Sequence, residues 1–249
     1  MIRLAAVLAA LSATLLLPTT AAVDLMKLGE VLLFNATDLP PDADAKAFAQ
    51  LLERIAPKRP EPGVAVHLFR GDRGSRKGQH ALVWTVDTLK RRREYPALGD
   101  AGKSNVEYHL VAPEHVETLP EVDVLGLHYT KVRPDRVEAF ERFVSEKLHP
   151  SVGNLRPDLR ILYYRAVRGA DAGSYIALFA LTRASRDKYW PGGSDSDNLR
   201  AAFKPVQGQT KELSTFLVEG SYLADPKFAA AVYESREWAD FVLVSADPR

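Results

Sequence analysis

His128 is the residue whose type and position most directly suggest chemistry. It lies in the strand-like run "VLGLHYTKV" (124–132), where it shares one strand face with Val124 and Gly126. An earlier run, "VLLFNATDL" (31–39), has Asn35 at the corresponding position. Two polar residues at the same place predict a polar spot in the core, with Asn35 as a ligand-binding candidate. An imidazole there can act as a base or a hydrogen-bond anchor; a core histidine satisfied by the protein is the alternative.

Two arginines occupy matching positions at strand ends, Arg70 in "VHLFR" (66–70) and Arg165 in "ILYYR" (161–165). An arginine among apolar residues needs a partner, because burying an unpaired charge costs on the order of several kcal/mol. An anionic ligand would be a functional partner and a protein carboxylate a structural one. Exposure at the strand end would remove the need for either. Arg165 is therefore a catalytic candidate and Arg70 a ligand-binding candidate.

Three aromatic residues complete the candidate site. Tyr175, which opens the run "YIALFAL", is a catalytic candidate, and Tyr163 and Trp190 are ligand-binding candidates that would add aromatic walls. With His128 as base, the two tyrosines would orient a ligand and Arg165 would hold its negative charge. The set predicts a pocket for an aromatic or anionic small molecule.

Established catalytic and metal-binding motifs are absent from the sequence. It has no G-x-S-x-G, H-E-x-x-H or G-x-G-x-x-G and no cysteine, which excludes disulfides and thiolate chemistry. None of the six histidines forms an i, i+4 pair, and we predict no metal site. His149 precedes Pro150 at a helix end, where a cation is favoured. We interpret the basic segment 71–80 as a solvated hairpin loop and the basic segment 90–93 as the exposed face of a helical turn. Residues 192–198 are interpreted as a loop that ends in an Asp or Asn helix cap.

The elements that position these residues occur twice along the chain. Residues 80–96 match 175–191 without a gap, so that Arg91 aligns with Arg186, and 31–39 match 124–132. Between the matched runs lie two segments of helical period: Phe48, Leu51, Leu52 and Ile55, and Val137, Phe140, Val144 and Leu148. Each copy thus predicts strand, helix, strand, hairpin loop, strand, helical turn and a last strand. The last strand is 105–111 in the first copy and either 212–218 or 238–244 in the second.

A βαββαβ unit is a ferredoxin-like fold with helices on one face of an antiparallel sheet. Neither strand face is polar here, so both faces must be buried. The order "VLGLHYTKV…AFERFV…ILYYRAV…YIALFAL" resembles the dimeric α+β-barrel superfamily, which includes antibiotic-biosynthesis-type monooxygenases, EthD-like and NIPSNAP-like proteins, and chlorite dismutases. The resemblance matches no single family. It implies an α+β fold with two tandem ferredoxin-like repeats forming a pseudo-dimeric barrel.

The N-terminus has the pattern of a secretory signal peptide. Arg3 precedes an apolar run over residues 4–17 and a small-residue tail, which predicts cleavage after Ala22. The predicted organisation is a signal peptide at 1–22, a first repeat at 23–120 and a second at 121–249. Removing Arg3 leaves 32 basic and 32 acidic residues, a balance that favours neither nucleic acid nor an anionic membrane as partner. We expect a periplasmic or secreted protein without a membrane span, and a homo-oligomer is left open.

Three functions fit the sequence, and it does not decide whether the protein is an enzyme. The first is an exported small-molecule-binding barrel, with cofactor-free oxygenase-like chemistry on an aromatic or anionic ligand. The second, from the resemblance to chlorite dismutases, is a haem-dependent enzyme with a proximal His and a distal Arg. The third is a non-catalytic periplasmic scaffold. No cofactor is the leading expectation, and haem is the alternative.

Overall fold

The computed structural model describes residues 25–37, 46–47, 50–51, 62–94, 105–116, 118–152, 155–169, 171–219 and 237–245. The expected signal peptide lies outside these ranges, as do Phe48, Leu52 and Ile55 of the first predicted helix. Residues 46–47 and 50–51 are helical, and Leu51 packs on the strands of the first half. No helix in the described ranges is long and apolar enough to cross a membrane.

Ten strands in the described ranges account for most of the core found there, as the apolar runs predict. In the first half they are β1 (Met26–Lys27), β2 (Val31–Thr37), β3 (Val64–Gly74), β4 (His80–Val86) and β5 (Asn105–Leu110). In the second half they are β6 (Glu121–Val122), β7 (Val124–Thr130), β8 (Arg160–Arg168), β9 (Tyr175–Leu181) and β10 (Trp238–Ser245). The predicted last strand of the first half is confirmed. In the second half 238–244 is the last strand, and 212–218 is not.

Eight of these strands close into an antiparallel barrel in the order β10-β3-β4-β2-β5-β8-β9-β7. The four strands of the first half, β3-β4-β2-β5, therefore have the same order as β8-β9-β7-β10 of the second half. This is the predicted α+β barrel of two ferredoxin-like halves. Strands β1 and β6 form a separate two-stranded sheet at the end of the barrel where β2 and β7 begin.

Short helices connect the strands, and those that follow β4, β7 and β9 lie where the sequence predicts them. They are α1 (Leu89–Glu94), α2 (Val137–Phe143), the π-helical turn Val144–Leu148, α3 (His149–Val152), α4 (Arg183–Tyr189), α5 (Asp197–Phe203) and α6 (Gln207–Ser214). Two interpretations of polar segments need correction. Arg92 in α1 is buried, not exposed, because its side chain meets a carboxylate on β5. Ser196, rather than an Asp or Asn, caps α5 by accepting the Leu199 N–H at 3.1 Å.

Alternate side chains along each strand fill two different layers. One set, including Phe34, Phe69, Leu125, Tyr164 and Phe241, fills the barrel interior. Met26 and Val122 of the β1–β6 sheet join this cluster and close one end of the barrel. The other set faces outward, and in the second half it is covered by the helices. Both strand faces are therefore buried, and the hairpin end of the barrel is left as the place for a site.

Candidate functional site

A cavity of about 460 Å³ lies at the hairpin end of the barrel. It is bordered by the turn between β3 and β4, the end of β7, and the turn between β8 and β9, and is partly open to solvent. Its lining residues are Ser75, Arg76, Tyr129, Thr130, Lys131, Asp171, Ser174 and Tyr175. Small-molecule sites have volumes of about 300–1,000 Å³ and combine apolar or aromatic walls with a few polar groups. The cavity meets both criteria.

Two tyrosine hydroxyls at this end of the barrel are held neutral. The guanidinium carbon of Arg76 lies 5.8 Å from the centre of the Tyr129 ring, within cation–π range. Burial raises the pKa of Tyr129, and the charge of Arg76 opposes the rise. Burial also raises the pKa of Tyr108, with smaller contributions from Tyr129 and Asp171. Both phenols therefore remain available as hydrogen-bond donors at neutral pH.

Tyr175 and Arg165, two of the predicted catalytic residues, meet on one carboxylate. The Tyr175 hydroxyl donates to Glu141 Oε1 at 2.5 Å, and Arg165 Nη1 donates to the same oxygen at 3.0 Å. Glu141 belongs to α2 and fixes the tyrosine ring against the cavity wall. Burial, followed by the Glu141 hydrogen bond, raises the pKa of Tyr175. Arg165 is exposed and has this protein carboxylate as a partner, in agreement with the structural alternative.

His128 lies behind the cavity wall, facing the helices and not the barrel interior. The side chain is 1% exposed, and its Nδ1 is 3.2 Å from the Thr130 hydroxyl, which lines the cavity. On the other side of the ring, Nε2 is 3.6 Å from a carboxylate oxygen of Glu237. The Trp238 ring packs beside the imidazole with centres 6.0 Å apart. Thr130 thus connects the buried imidazole to the cavity.

Tyr163 and Trp190 lie deeper, in the layer between the barrel and its helices, and do not line the cavity. The Tyr163 backbone N–H donates to His149 Nε2 at 3.0 Å. Burial, with a smaller effect of His115, lowers the pKa of His149 to about 4. His149 is therefore a neutral acceptor, and the expectation of a cation at this position is wrong.

Trp190 belongs to an aromatic cluster in the same layer. Its ring centre lies 5.7 Å from that of Phe179 and 5.8 Å from that of Trp238. Trp190 is buried and is not among the residues that line the cavity. The structure gives it a packing role.

Asn35 and Arg70 lie on the first half, away from the cavity. Asn35 is 4% exposed and faces outward on β2, beside Asn105 on β5. Its Oδ1 has no hydrogen-bond partner among the described residues. Arg70 is exposed on β3 opposite His80. The predicted residues thus divide between two sides of the barrel, and only Tyr175 lines the cavity itself.

The sequence interpretation missed Arg76, Thr130, Lys131 and Asp171. It assigns Arg76 to a solvated loop, and the residue is indeed exposed, yet it also forms one wall of the cavity. A signal was present in the internal match, because Arg76 aligns with Asp171 at the same offset that aligns 80–96 with 175–191. Opposite charges at matched loop positions mark a place where the two halves differ.

The residues of the cavity do not suit haem. No histidine lines it, and His128 and His149 are each 1% exposed and engaged by Thr130 and the Tyr163 N–H. A proximal histidine of the expected kind is therefore missing from this cavity. Within the described residues, no group of three or more His, Asp or Glu side chains could hold a metal ion.

Comparison with known proteins assigns the chain to no family and adds nothing to the fold that its own strand order defines. No family model and no curated protein matches the chain. Three solved structures resemble it at TM-scores of 0.46, 0.40 and 0.43: a candidate monooxygenase from Lactobacillus acidophilus, a haem-degrading enzyme from Listeria monocytogenes and an anthrone oxidase-like protein. Their sequence identities are 11%, 9% and 14%. They cover 87%, 85% and 87% of this chain and 95%, 98% and 91% of their own. The strand order itself makes the protein an α+β barrel of two ferredoxin-like halves, and no residue role is transferred from these structures.

Proposed function

We propose that the protein binds a small, hydroxylated aromatic anion in the cavity at the hairpin end of the barrel. The observation that carries this proposal is the lining, in which Arg76 and Lys131 stand beside the rings of Tyr129 and Tyr175. Arginine binds a carboxylate through two parallel hydrogen bonds, and tyrosine rings provide rigid walls for an aromatic ligand. Ser75, Thr130 and Ser174 add hydroxyl groups that can orient it.

We further propose oxygenase-like chemistry that begins with deprotonation of the ligand hydroxyl. The Thr130 hydroxyl lies between the cavity and His128 Nδ1, 3.2 Å away. A proton leaving the ligand can pass to Thr130 while the Thr130 proton passes to the imidazole. Glu237, 3.6 Å from Nε2, would stabilise the imidazolium that results. The electron-rich ligand anion would then be the species that reacts with molecular oxygen.

The binding proposal is tested by isothermal titration of the purified protein with 3-(4-hydroxyphenyl)propanoate. We expect saturable binding that Arg76→Gln weakens at least tenfold. The matched control is Lys77→Gln, which removes the neighbouring exposed cation of the same turn but not a lining residue. Bound ligand at 100 times its Kd should also add about 2.7 kcal/mol to the free energy of unfolding. Equal weakening by both variants would mean general attraction of anions and would contradict a defined site.

The chemical proposal is tested by oxygen consumption in the presence of the same phenol. His128→Gln keeps the ring position polar and should abolish turnover while leaving the Kd within about threefold. Turnover that survives this substitution would rule out the imidazole as base. We also propose that the protein acts outside the cytoplasm, in the periplasm or as a secreted protein, because of the signal-peptide pattern of residues 1–22.

A further inference from the structure

Arg76 and Asp171 occupy the same position in two hairpin turns of identical design. In the first turn, Gly78 N–H donates to the Gly71 carbonyl at 2.8 Å; in the second, Gly173 N–H donates to the Ala166 carbonyl at 2.7 Å. Both glycines have positive φ, 82° and 88°. Among the described residues the two turns therefore share the same backbone hydrogen bonds and glycine conformation, and their side chains differ.

The hydrogen bonds made by the two charged residues themselves also match. Gln79 N–H donates to the Arg76 carbonyl at 3.1 Å, and Ser174 N–H donates to the Asp171 carbonyl at 2.9 Å. Arg76 and Asp171 are thus held by equivalent backbone hydrogen bonds, one set in each half of the barrel. One turn presents a cation and the other an anion.

Both side chains line the same cavity, yet they do not neutralise each other. Among the described residues no ion pair joins Arg76 to Asp171, whose charged atoms lie beyond 4.0 Å of one another. Both charges act on the Tyr108 hydroxyl: Arg76 lowers its pKa and Asp171 raises it. The cavity is therefore dipolar, with Lys131 adding positive charge.

We infer that the ligand of this cavity is a zwitterion of the aromatic α-amino acid class, an inference that rests on the proposed binding function. Its carboxylate would pair with Arg76 and Lys131, and its ammonium group with Asp171. A ligand with a carboxylate alone would bring no partner for Asp171, and a ligand with an amine alone would bring none for Arg76. A zwitterion gains a charge-assisted contact at each end, so this arrangement favours it over either singly charged ligand.

Three probes that share one ring and differ only in charge test the inference. They are L-tyrosine, 3-(4-hydroxyphenyl)propanoate, which lacks the amine, and tyramine, which lacks the carboxylate. Isothermal titration should give a Kd for tyrosine at least tenfold lower than for either analogue. Asp171→Asn should weaken tyrosine about tenfold and leave the propanoate unchanged or tighter. Arg76→Gln should weaken tyrosine and the propanoate but not tyramine.

The matched turns allow a stricter experiment. The double exchange Arg76→Asp with Asp171→Arg keeps one charge of each sign at the two equivalent backbone positions. It should therefore restore much of the tyrosine affinity that is lost in either single exchange. Lys77→Gln is again the control, and melting temperatures verify folding of each variant. If the propanoate binds as tightly as tyrosine, the zwitterion inference is overturned while the proposed binding function stands. If none of the three probes binds, both fail.

Discussion

Arg92 and Arg186 occupy equivalent positions in the two halves: each is buried and lies four residues after the threonine that caps its helix. In α1 and α4 alike, the N–H of the third residue after the cap donates to the threonine hydroxyl, Thr88 or Thr182, at 3.1 Å. The gapless sequence match aligns Arg91 with Arg186 and is wrong here by one residue. The reason is that α4 begins one position closer to its preceding strand than α1 does.

Arg92 forms a bidentate ion pair with Glu107 on β5. The Nε–Oε1 distance is 3.0 Å and the Nη2–Oε2 distance is 2.8 Å. Burial raises the pKa of Glu107, but hydrogen bonds from His109 and Arg92 outweigh this effect and lower the pKa to about 2. Glu107→Ala would remove the buried carboxylate that pairs with Arg92. We expect a loss of about 3–5 kcal/mol in the free energy of unfolding, measured by urea denaturation.

The control for this prediction is an ion pair between Arg91 of the same helix and Asp87, which precedes the helix. Asp87→Asn breaks the partly exposed pair of Asp87 with Arg91 at 2.8 Å and should cost less than about 1 kcal/mol. Burial, not charge pairing as such, is the proposed cause of the difference. Similar losses in the two variants would show that cause to be wrong.

The stability of the folded protein should fall as pH falls from about 6.5 to about 4, in part because of His149. Its pKa is lowered to about 4 in the folded chain, against about 6.5 when unfolded. Between these values the unfolded chain binds a proton that the folded chain does not, so acid favours unfolding. The full effect is about 3 kcal/mol, and urea denaturation at pH 7 and at pH 4 measures it.

His149→Gln separates this contribution from that of the carboxylates. Glutamine can still accept the Tyr163 N–H but does not titrate, so the variant should lose less stability over the same pH range. For each protein, the free energy of unfolding at pH 4 is subtracted from that at pH 7. A loss of stability that is equal at both pH values therefore does not affect the comparison. If both proteins respond to pH alike, His149 is not the titrating group.

Most of the barrel could be predicted from the sequence because strand periodicity and matched spacing are local signals. The final strand could not be chosen, since 212–218 and 238–244 have similar apolar patterns. The structure separates them by what surrounds them. β10 fills the gap between β3 and β7 and closes the barrel, whereas residues 207–214 form α6. Closure depends on contacts between distant segments, which a local pattern does not contain.

The site was harder to predict than the fold for a related reason. His128 and Tyr175 are predicted from the sequence because each interrupts or opens an apolar run. Arg76 and Asp171 lie in turns, where charged residues are usual and carry no signal of their own. Only the comparison of the two turns shows that these opposite charges lie at matched positions beside one cavity.

Cleavage after Ala22 should give a mature chain beginning at Val23 when the protein is produced in an exporting bacterial host. The expected processing site has Thr20 at −3 and Ala22 at −1, positions that require small residues. Ala22→Arg should therefore accumulate the uncleaved precursor, visible as a larger intact mass. Ala21→Leu changes the tolerant −2 position and should be processed normally. Retention of residues 1–22 by the unaltered protein would contradict this expectation.

Gly126 is expected to be required for packing of the aromatic layer next to His128. A Cβ at this position would lie 3.1 Å from Phe179 Cβ and 3.3 Å from the Trp238 ring, closer than ordinary carbon contacts. Gly126→Ala should therefore cost about 1–3 kcal/mol of stability through overpacking. A Cβ added to Gly208 in α6 would meet nothing within 4 Å, so Gly208→Ala should instead stabilise the helix by about 0.5–1 kcal/mol.

Thermal unfolding followed by tryptophan fluorescence reports both glycine variants, and opposite shifts in Tm are the expected result. The two substitutions add the same methyl group, so the difference between them isolates the space around each position. An unchanged Tm in Gly126→Ala would mean that Phe179 and Trp238 can move apart. The aromatic layer would then be less tightly packed than these distances indicate.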